Sequence, residues 1–337
     1  MPIRIIIAIL LLSLTVNLPA KAEEPDIDYK PVFHGTIRSR WELATENGEN
    51  RFQVRNARLS VEGRVAPEIQ YYINTDLCDR GKMKILDAWG QLNFTDDLKF
   101  RAGQFRMPFG VDPFRGPQNY LFANRSFIGK QVCNVRAVGA KLEYTLPIVP
   151  LKVEAGAFNP STISDHETWH RKMSYAGKAT YKIGRVTLAT GVQSLSPDSV
   201  RMNLIDGSIG WSADRWTVEG EYMYKHYTHK AHKACHAYSI FADYRMPVNA
   251  GMFNTLSFQG RFDGMTAHSN GTRNDEGVLT TTDPARNRIT AGATLSYVKK
   301  ALHADIRVNY EKYFYRHNAE YLPGDGDKLV VELVVRF

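Results

Sequence analysis

One stretch of the chain, residues 106–134, is rich in basic side chains. Its acid is Asp112 alone, and its cations are Arg106, Arg115, Arg125 and Lys130. A guanidinium group stays charged and can bind a phosphate or carboxylate through two parallel hydrogen bonds. The segment therefore predicts a site for small anions, provided that the fold gathers these side chains. The alternative is that the cations only tie the segment to the rest of the protein.

A second stretch, residues 225–236, concentrates possible metal ligands, namely His226, His229, His232, Cys235 and His236. Imidazole and thiolate are good ligands for zinc or copper. Their spacing, however, matches no known tetrahedral signature, and three interleaved lysines would repel a dication. We therefore favour a solvated basic loop over a metal site, and we expect no cofactor.

The sequence lacks the usual motifs of a hydrolase. Neither a Gly-x-Ser-x-Gly elbow nor a His-Glu-x-x-His helix is present. Ser296 and His303 fall on neighbouring predicted strands, but such proximity is common by chance. We do not expect an enzyme, and a barrel-borne hydrolase remains the less favoured alternative.

The elements that must position these residues show an alternation of apolar and polar side chains, which is the pattern of half-buried strands. Sixteen such segments are predicted, at 32–43, 51–65, 68–77, 85–94, 98–105, 135–145, 150–158, 172–182, 185–193, 202–211, 215–225, 236–245, 254–263, 287–298, 301–312 and 327–337.

The connections between these segments alternate between short turns and longer polar loops. This layout predicts an all-β protein, a transmembrane antiparallel β-barrel of about sixteen strands with short periplasmic turns and longer extracellular loops. The last segment places its apolar residues on one face and ends at Phe337, as expected for a barrel strand.

A soluble β-sandwich would show the same alternation but would hide its aromatic residues. Aromatic residues make up 11% of this chain, although its mean hydropathy is −0.35. Many of them fall near strand ends, where a membrane barrel carries interfacial bands. Examples are Trp41, Phe94, Phe105, Tyr144 and Trp211.

The first 22 residues have the pattern of a signal peptide. A basic start is followed by the apolar run Ile5–Leu14 and by small residues at Ala20 and Ala22. We expect residues 23–337 to form a single outer-membrane barrel domain. Loss of the leader lowers the net charge from +8 to about +6, which favours anionic partners. Export makes nucleic acid an improbable partner.

The inward-facing positions of the predicted strands carry more Lys and Arg than Asp and Glu. A lumen with this balance favours anions without excluding cations. The inward-facing cations that we expect to contact permeating anions include Arg38, Arg40, Arg58, Arg64 and Arg101.

Several ordered motifs resemble the phosphate-selective porin O and P family over about residues 33–160. They include Arg55-Asn56-Ala57-Arg58-Leu59, Leu86-Asp87-Ala88-Trp89, Arg101-Ala102-Gly103-Gln104-Phe105 and Pro108-Phe109-Gly110. The resemblance implies a sixteen-stranded, trimeric porin that carries phosphate-like anions. It also implies that the third long loop, about 106–134, folds into the lumen. Unlike the family pattern, this loop is not rich in lysine.

We therefore expect an outer-membrane porin, an anion-preferring channel for phosphate-like or other small anionic solutes. Its expected partners are outer-membrane lipid, lipopolysaccharide, small anions and two further copies of the chain. The alternative is a structural or adhesive barrel without significant conductance. The strand map also places Cys78 in the second long loop, near Cys133 at the end of the third, so that a disulfide between them is possible.

Overall fold

The structure, a computed structural model, describes residues 28–79, 81–133, 136–165, 167–196, 200–316, 322 and 324–337. The predicted signal peptide, residues 1–22, lies outside these ranges. None of the described helices is long and apolar enough to cross a membrane.

The described residues form sixteen strands. Their bounds are β1 Val32–Ala44, β2 Asn50–Ala66, β3 Ile69–Asp79, β4 Lys82–Asn93, β5 Leu98–Arg106, β6 Arg136–Thr145, β7 Leu151–Phe158, β8 Ser174–Ile183, β9 Val186–Leu195, β10 Met202–Ala213, β11 Trp216–Tyr227, β12 Cys235–Ala250, β13 Phe253–Met265, β14 Arg286–Lys299, β15 Leu302–Tyr315 and β16 Lys328–Arg336.

Each strand pairs antiparallel with its neighbours in sequence, and β1 pairs with β16, so that the sheet is a closed barrel. At this junction Phe337 and Gly35 exchange two backbone hydrogen bonds of 2.7 and 3.1 Å. The Phe337 ring covers Gly35, where a Cβ would lie 2.1 Å from it. The predicted barrel of sixteen strands is therefore confirmed.

Side-chain burial follows the predicted alternation. On β16, Val330, Glu332 and Val334 face inward and are almost fully buried, whereas Leu333 and Val335 face outward and are exposed. Phe105 is an exception to the predicted aromatic bands. It is buried edge-on against Phe158, with ring centroids 5.4 Å apart.

The connections differ in length between the two ends of the barrel. At one end, the turn end, five of the connections have two residues: 67–68, 184–185, 214–215, 251–252 and 300–301. The longest connections join strands at the other end, the loop end; they are 107–135, 159–173, 266–285 and 316–327.

The prediction of a second long loop, between the predicted strands 68–77 and 85–94, is wrong. Strand β3 continues to Asp79 and β4 begins at Lys82, so that only two residues connect them. Gly81 has a φ of +80°, a conformation that this tight turn uses and that glycine adopts readily because it has no Cβ. Cys78 therefore lies on β3 rather than in a loop. The predicted turn at Met246–Phe253 is likewise shorter, since β12 continues to Ala250.

The segment that follows β5, here called loop 3 (residues 107–133), lies inside the barrel. Its apolar residues Met107, Phe109, Phe127, Ile128 and Val132 are buried in one cluster with residues of the barrel wall. The wall side of this cluster consists of inward-facing apolar residues, including Ala176, Leu195, Met202, Leu204, Met223, Ala237 and Met265. Loop 3 thus packs onto the β8–β13 sector of the lumen.

Candidate functional site

Inward-facing carboxylate and amide side chains of strands β11–β15 hold the backbone of loop 3. Glu221 of β11 accepts hydrogen bonds from the backbone amides of Val111 at 2.7 Å and Asp112 at 3.0 Å. Further along the loop, the amide of Ala123 donates to Asn309 Oδ1 at 2.7 Å, and that of Phe127 donates to Asp263 at 3.0 Å. Inward-facing acceptors therefore fix the path of the loop across the lumen.

Inward-facing arginines of β1 and of β13–β15 donate hydrogen bonds to backbone carbonyls of loop 3. Arg38 donates to the carbonyl of Ala123 at 2.6 Å, and Arg307 donates to that of Tyr120 at 2.7 Å. Both arginines also form ion pairs with Glu332 of β16. Arg261 and Arg288 make equivalent bonds to the carbonyls of Asn124 and Arg125, at 2.8 and 2.6 Å.

Two predicted anion-binding residues, Arg38 and Arg40, are thus engaged in holding the loop. Arg40 donates to Asn124 Oδ1 at 2.9 Å and forms an ion pair with Glu42 at 2.9 Å. Both arginines are buried, with exposures of 2% and 7%. Their charge contributes to the field in the lumen, but their donors are mostly occupied.

The cations of loop 3 are themselves engaged, either within the loop or with neighbouring parts of the barrel. Arg115 forms ion pairs with Asp112 and with Glu219 of β11. Lys130 forms an ion pair with Asp325, in the loop before β16, at 2.6 Å. Arg125 donates to backbone carbonyls of its own loop, at distances between 2.8 and 3.3 Å. These three predicted residues therefore secure the loop.

The lumen beside β1–β6 contains two cavities, and a third, of about 630 Å³, lies beside β11–β15. The outer cavity, of about 1020 Å³, is reached from the loop end and is lined in part by Thr162 and Asn270. The inner cavity, of about 540 Å³, opens toward the turn end, beside His34 and Phe337. Both cavities are lined by the same three arginines, Arg58, Arg106 and Arg136. We call these three residues the arginine passage.

The three passage arginines differ in their partners. Arg136 forms a two-point ion pair with Asp87, at 2.9 and 3.2 Å, and Arg58 forms one with Asp76 at 3.2 Å. Arg106 donates only to the carbonyl of Arg115, at 3.1 Å, and contacts no acid among the described residues. Its Nε is buried without a partner. Arg106 is therefore the passage cation with the least neutralised charge.

Strand pairing places Arg106 directly opposite Arg136. Like charges in directly opposed positions destabilise a sheet. Asp87 relieves this repulsion on one side only, so the pair still presents positive charge to the lumen. Arg136 was not among the cations predicted from the sequence; its position in β6, just after the basic loop, was the available signal.

The remaining predicted cations lie at different depths. Arg101 faces the inner cavity, where its guanidinium stacks on Trp89 at 3.7 Å from the ring centroid. Arg64 donates to the carbonyl of Pro67 at the turn end and does not line either cavity. Arg55, which was not predicted as a site residue, is the extra residue of a bulge in β2 and lines the outer cavity.

The possible metal ligands of residues 225–236 do not converge. Within the described part of the chain, no group of three or more His, Cys, Asp or Glu side chains is arranged to hold a metal ion. Strand alternation separates Cys235, which is buried, from exposed His236, which contacts the Tyr222 hydroxyl at 2.7 Å.

The three other histidines of this segment are also dispersed. His226 contacts Asn203, His232 contacts Thr281, and His229 lies at the exposed tip of the loop. The structure therefore does not bring these five side chains together, because His226, Cys235 and His236 are held apart on strands β11 and β12.

The disulfide between Cys78 and Cys133 that the strand map allowed is not formed. Both cysteines are free, as is Cys235. Cys133 is drawn across the lumen with loop 3, where its Sγ contacts Gln193 of β9. Cys78 stays on β3, where its Sγ lies near the carbonyl of Val54.

The barrel is similar to several solved structures. An OmpT of Vibrio cholerae in trimer form gives a TM-score of 0.60 at 12% identity, covering 91% of this chain and 98% of that one. An anion-selective porin from Comamonas acidovorans gives 0.59 at 11% identity, with the same two coverages of 91% and 98%. OmpF of Salmonella typhi in complex with daunomycin gives 0.60 at 12%, with coverages of 92% and 98%.

Sequence comparison points to a family. No curated protein matches the chain. A family model described as phosphate-selective porin O and P matches residues 40–210, which is half of the sequence and includes loop 3 and the arginine passage. With its closed barrel of sixteen strands, this outer-membrane protein belongs to the phosphate-selective porin O and P family.

Proposed function

We propose that this porin is an anion-preferring, water-filled channel for phosphate-like and other small anionic solutes. The observation that carries the proposal is the arginine passage. Because Arg58, Arg106 and Arg136 line both cavities, a solute that moves between the cavities passes these three side chains. Guanidinium groups bind phosphate and carboxylate through paired hydrogen bonds.

The charge balance of the cavities supports the same preference. Among the described lining residues of the inner cavity, six are Lys or Arg and the acids are Glu62 and Asp87. In the outer cavity, eight are Lys or Arg and the acids are Asp76 and Asp283. A narrow passage between low-dielectric walls strengthens such a surplus. The neighbour from Comamonas acidovorans is described as anion-selective.

The predicted cations have two roles in this proposal. Arg58, Arg106 and Arg101 face the permeating anion. The loop cations Arg115, Arg125 and Lys130, with Arg38 and Arg40 of the wall, hold loop 3 in place and so set the width of the passage. We assign permeation rather than catalysis to the chain.

We further propose a homotrimer, supported by the OmpT neighbour described in its trimer form. Removal of residues 1–22 as a signal peptide would leave residues 23–337 as the barrel domain. Lipopolysaccharide is a suitable partner for the rim of the loop end, because Lys230 and Lys233 are exposed there and can bind its phosphates.

Reversal potentials of the purified protein in planar bilayers test this function. Gradients of potassium chloride, potassium phosphate and the potassium salt of a bulky organic anion are compared. We expect anion selectivity with chloride and block of the chloride current by phosphate. Cation selectivity would overturn the proposal. Absence of conductance would favour the structural barrel, and hydrolysis of lipid by the purified protein would favour an enzyme.

A further inference from the structure

The inner cavity has an aromatic surface that a channel for inorganic anions does not need. Tyr72 of β3 and Trp89 of β4 are paired directly across the two strands. Their ring centroids are 5.4 Å apart and their planes differ by 30°. Both side chains line the inner cavity, and both are partly exposed. Such a surface in an aqueous lumen marks a binding site more often than a structural need.

Arg101 completes this surface. Its guanidinium lies 3.7 Å from the centroid of Trp89. Its Nε and Nη2 donate to Gln91 Oε1, at 3.0 and 2.6 Å, which fixes its plane against the indole. Its Nη1 makes no hydrogen bond within the described ranges. A fixed cation with a free donor therefore lies beside an aromatic face.

The backbone next to Trp89 is adapted to this arrangement. Gly103 is paired with Trp89 across β4 and β5 and has a φ of +130°. A Cβ at this position would lie 2.7 Å from the Trp89 Cα and 2.2 Å from the carbonyl oxygen of Ala88. Only glycine therefore permits the close approach of β5 to the strand that carries Trp89.

A further aromatic side chain enters the cavity from loop 3. Phe114 is 39% exposed, and Lys178 lies 4.7 Å from its ring centroid. The acids of the cavity are already engaged, since Asp87 pairs with Arg136 and Glu62 contacts His34 at 3.2 Å. The cavity therefore combines aromatic side chains with more cations than acids, and both of its acids already have partners.

We propose that the inner cavity binds organic anions that carry a planar ring, namely aromatic phosphates or carboxylates. The ring packs against the exposed edges of Trp89 and Tyr72, since Arg101 already covers one face of the indole, while the acid group is held by Arg101 and by the arginine passage. The cavity volume of about 540 Å³ is in the range of small-molecule sites, which run from roughly 300 to 1,000 Å³. This inference rests on the proposed anion channel and names the substrate class of its inner site.

The test is block of the chloride current at about pH 8 by three phosphate monoesters, namely methyl, cyclohexyl and phenyl phosphate, which are all dianions at this pH because their second pKa is about 6. Methyl phosphate reports the arginines alone, and cyclohexyl phosphate adds apolar volume without a π face. We expect phenyl phosphate to block at a concentration roughly 3–10-fold lower than cyclohexyl phosphate, as for other aromatic stacking.

Three variants assign this difference to the aromatic surface. Trp89→Leu should remove it, and Trp89→Phe should retain most of it. Trp211→Leu changes an outward-facing tryptophan that is 40% exposed, and should leave it intact. Insertion and folding of each variant are checked by its heat-modifiable mobility and by channel formation.

The outcomes separate the two proposals. Equal block by phenyl and cyclohexyl phosphate in an anion-selective channel would overturn the aromatic site alone. A full difference retained in Trp89→Leu would also overturn it. Should Trp89→Leu fail to fold, the Trp89→Phe channel and the ester series in the unmodified channel still decide the question. Cation selectivity with no block by methyl phosphate would instead overturn the proposed function.

Discussion

Arg288 donates to both carboxylate oxygens of Asp263, through Nε at 3.1 Å and Nη2 at 2.8 Å. Both side chains are fully buried. The same pair holds loop 3, because Asp263 accepts the amide of Phe127 and Arg288 donates to the carbonyl of Arg125. An ion pair of the barrel wall thus also serves as an anchor for the loop that narrows the lumen.

Replacement of Asp263 by alanine should destabilise both the barrel and the loop. Removing one partner of a buried ion pair costs about 3–5 kcal/mol when the other charge is left uncompensated. Asp263 pairs with both Arg261 and Arg288, and of these two only Arg288 keeps another acid, Glu311, among the described residues. The free energy of unfolding in urea, followed by tryptophan fluorescence, measures this cost. Asp214→Asn is the control, because it breaks an exposed pair with Arg185 that is worth less than about 1 kcal/mol and keeps a side chain that tolerates the φ of +49° at this turn. Equal losses in the two variants would contradict the anchoring role.

Replacement of Arg106 by alanine should weaken anion preference. A unit charge about 4 Å from a permeating ion contributes about 1 kcal/mol even in bulk water, or roughly fivefold in ion occupancy. Because the same charge attracts anions and repels cations, we expect the ratio of anion to cation permeability to fall at least about fivefold, as measured from reversal potentials. Arg185→Ala removes the same charge from an exposed turn and should leave the ratio unchanged. A similar fall in both variants would assign selectivity to the overall charge.

The ion pair between Lys130 and Asp325 should keep its contribution to stability until the pH falls below the ordinary pKa of an aspartate. Burial alone would raise the pKa of Asp325, but Lys130 and Arg286 outweigh burial and hold the pKa below its ordinary value of 3.8. Because the folded pKa is depressed, this carboxylate stabilises the fold fully above the unfolded pKa. The stabilisation is lost as the pH falls through the folded pKa.

The difference in unfolding free energy between the unmodified chain and Asp325→Asn measures this anchor. We expect the difference to be constant between about pH 7 and pH 5 and to shrink below about pH 3.8. A decline that is already complete at pH 5 would show that the ion pair does not depress the pKa of Asp325.

The cysteines should differ in their reactivity toward a maleimide. Cys133 and Cys235 are buried, with exposures of 2% and 0%, whereas Cys78 is partly exposed. Burial also raises the pKa of the Cys133 thiol, which lowers its fraction of reactive thiolate. We expect labelling of Cys78 alone in the folded protein and of all three cysteines in denaturant, as read by peptide mass mapping. A disulfide in the non-reduced digest would refute this expectation.

The strands could be predicted from the sequence because alternation is a local property. Residues 302–310 show which side chains face inward, and the structure agrees on Asp305, Arg307 and Asn309. The family resemblance was confirmed as well. The loop between β3 and β4 was misjudged because a two-residue turn at Gly81 leaves little compositional trace.

The site was harder to predict because its chemistry depends on partners that lie far apart in the chain. Arg38 and Arg106 both face inward, yet Arg38 is neutralised by Glu332, 294 residues away, while Arg106 has no acid in contact within the described residues. Only barrel closure and the path of loop 3 decide between these environments. The inward-facing apolar residues Met202, Leu204 and Met223 were a usable signal, since they form the surface that receives the loop.

The junction of β1 with β16 links closure of the barrel to the position of loop 3. Arg38 of β1 and Arg307 of β15 share Glu332 of β16, and both arginines also hold loop 3. Strand β16 thus supplies the carboxylate that completes the binding surface for a loop some two hundred residues away in the chain. Without Glu332, Arg38 would contact no acid among the described residues, and Arg307 would keep only Asp305, at 3.9 Å. A break in the pairing of β1 with β16 would therefore also weaken the hold on the loop that narrows the lumen.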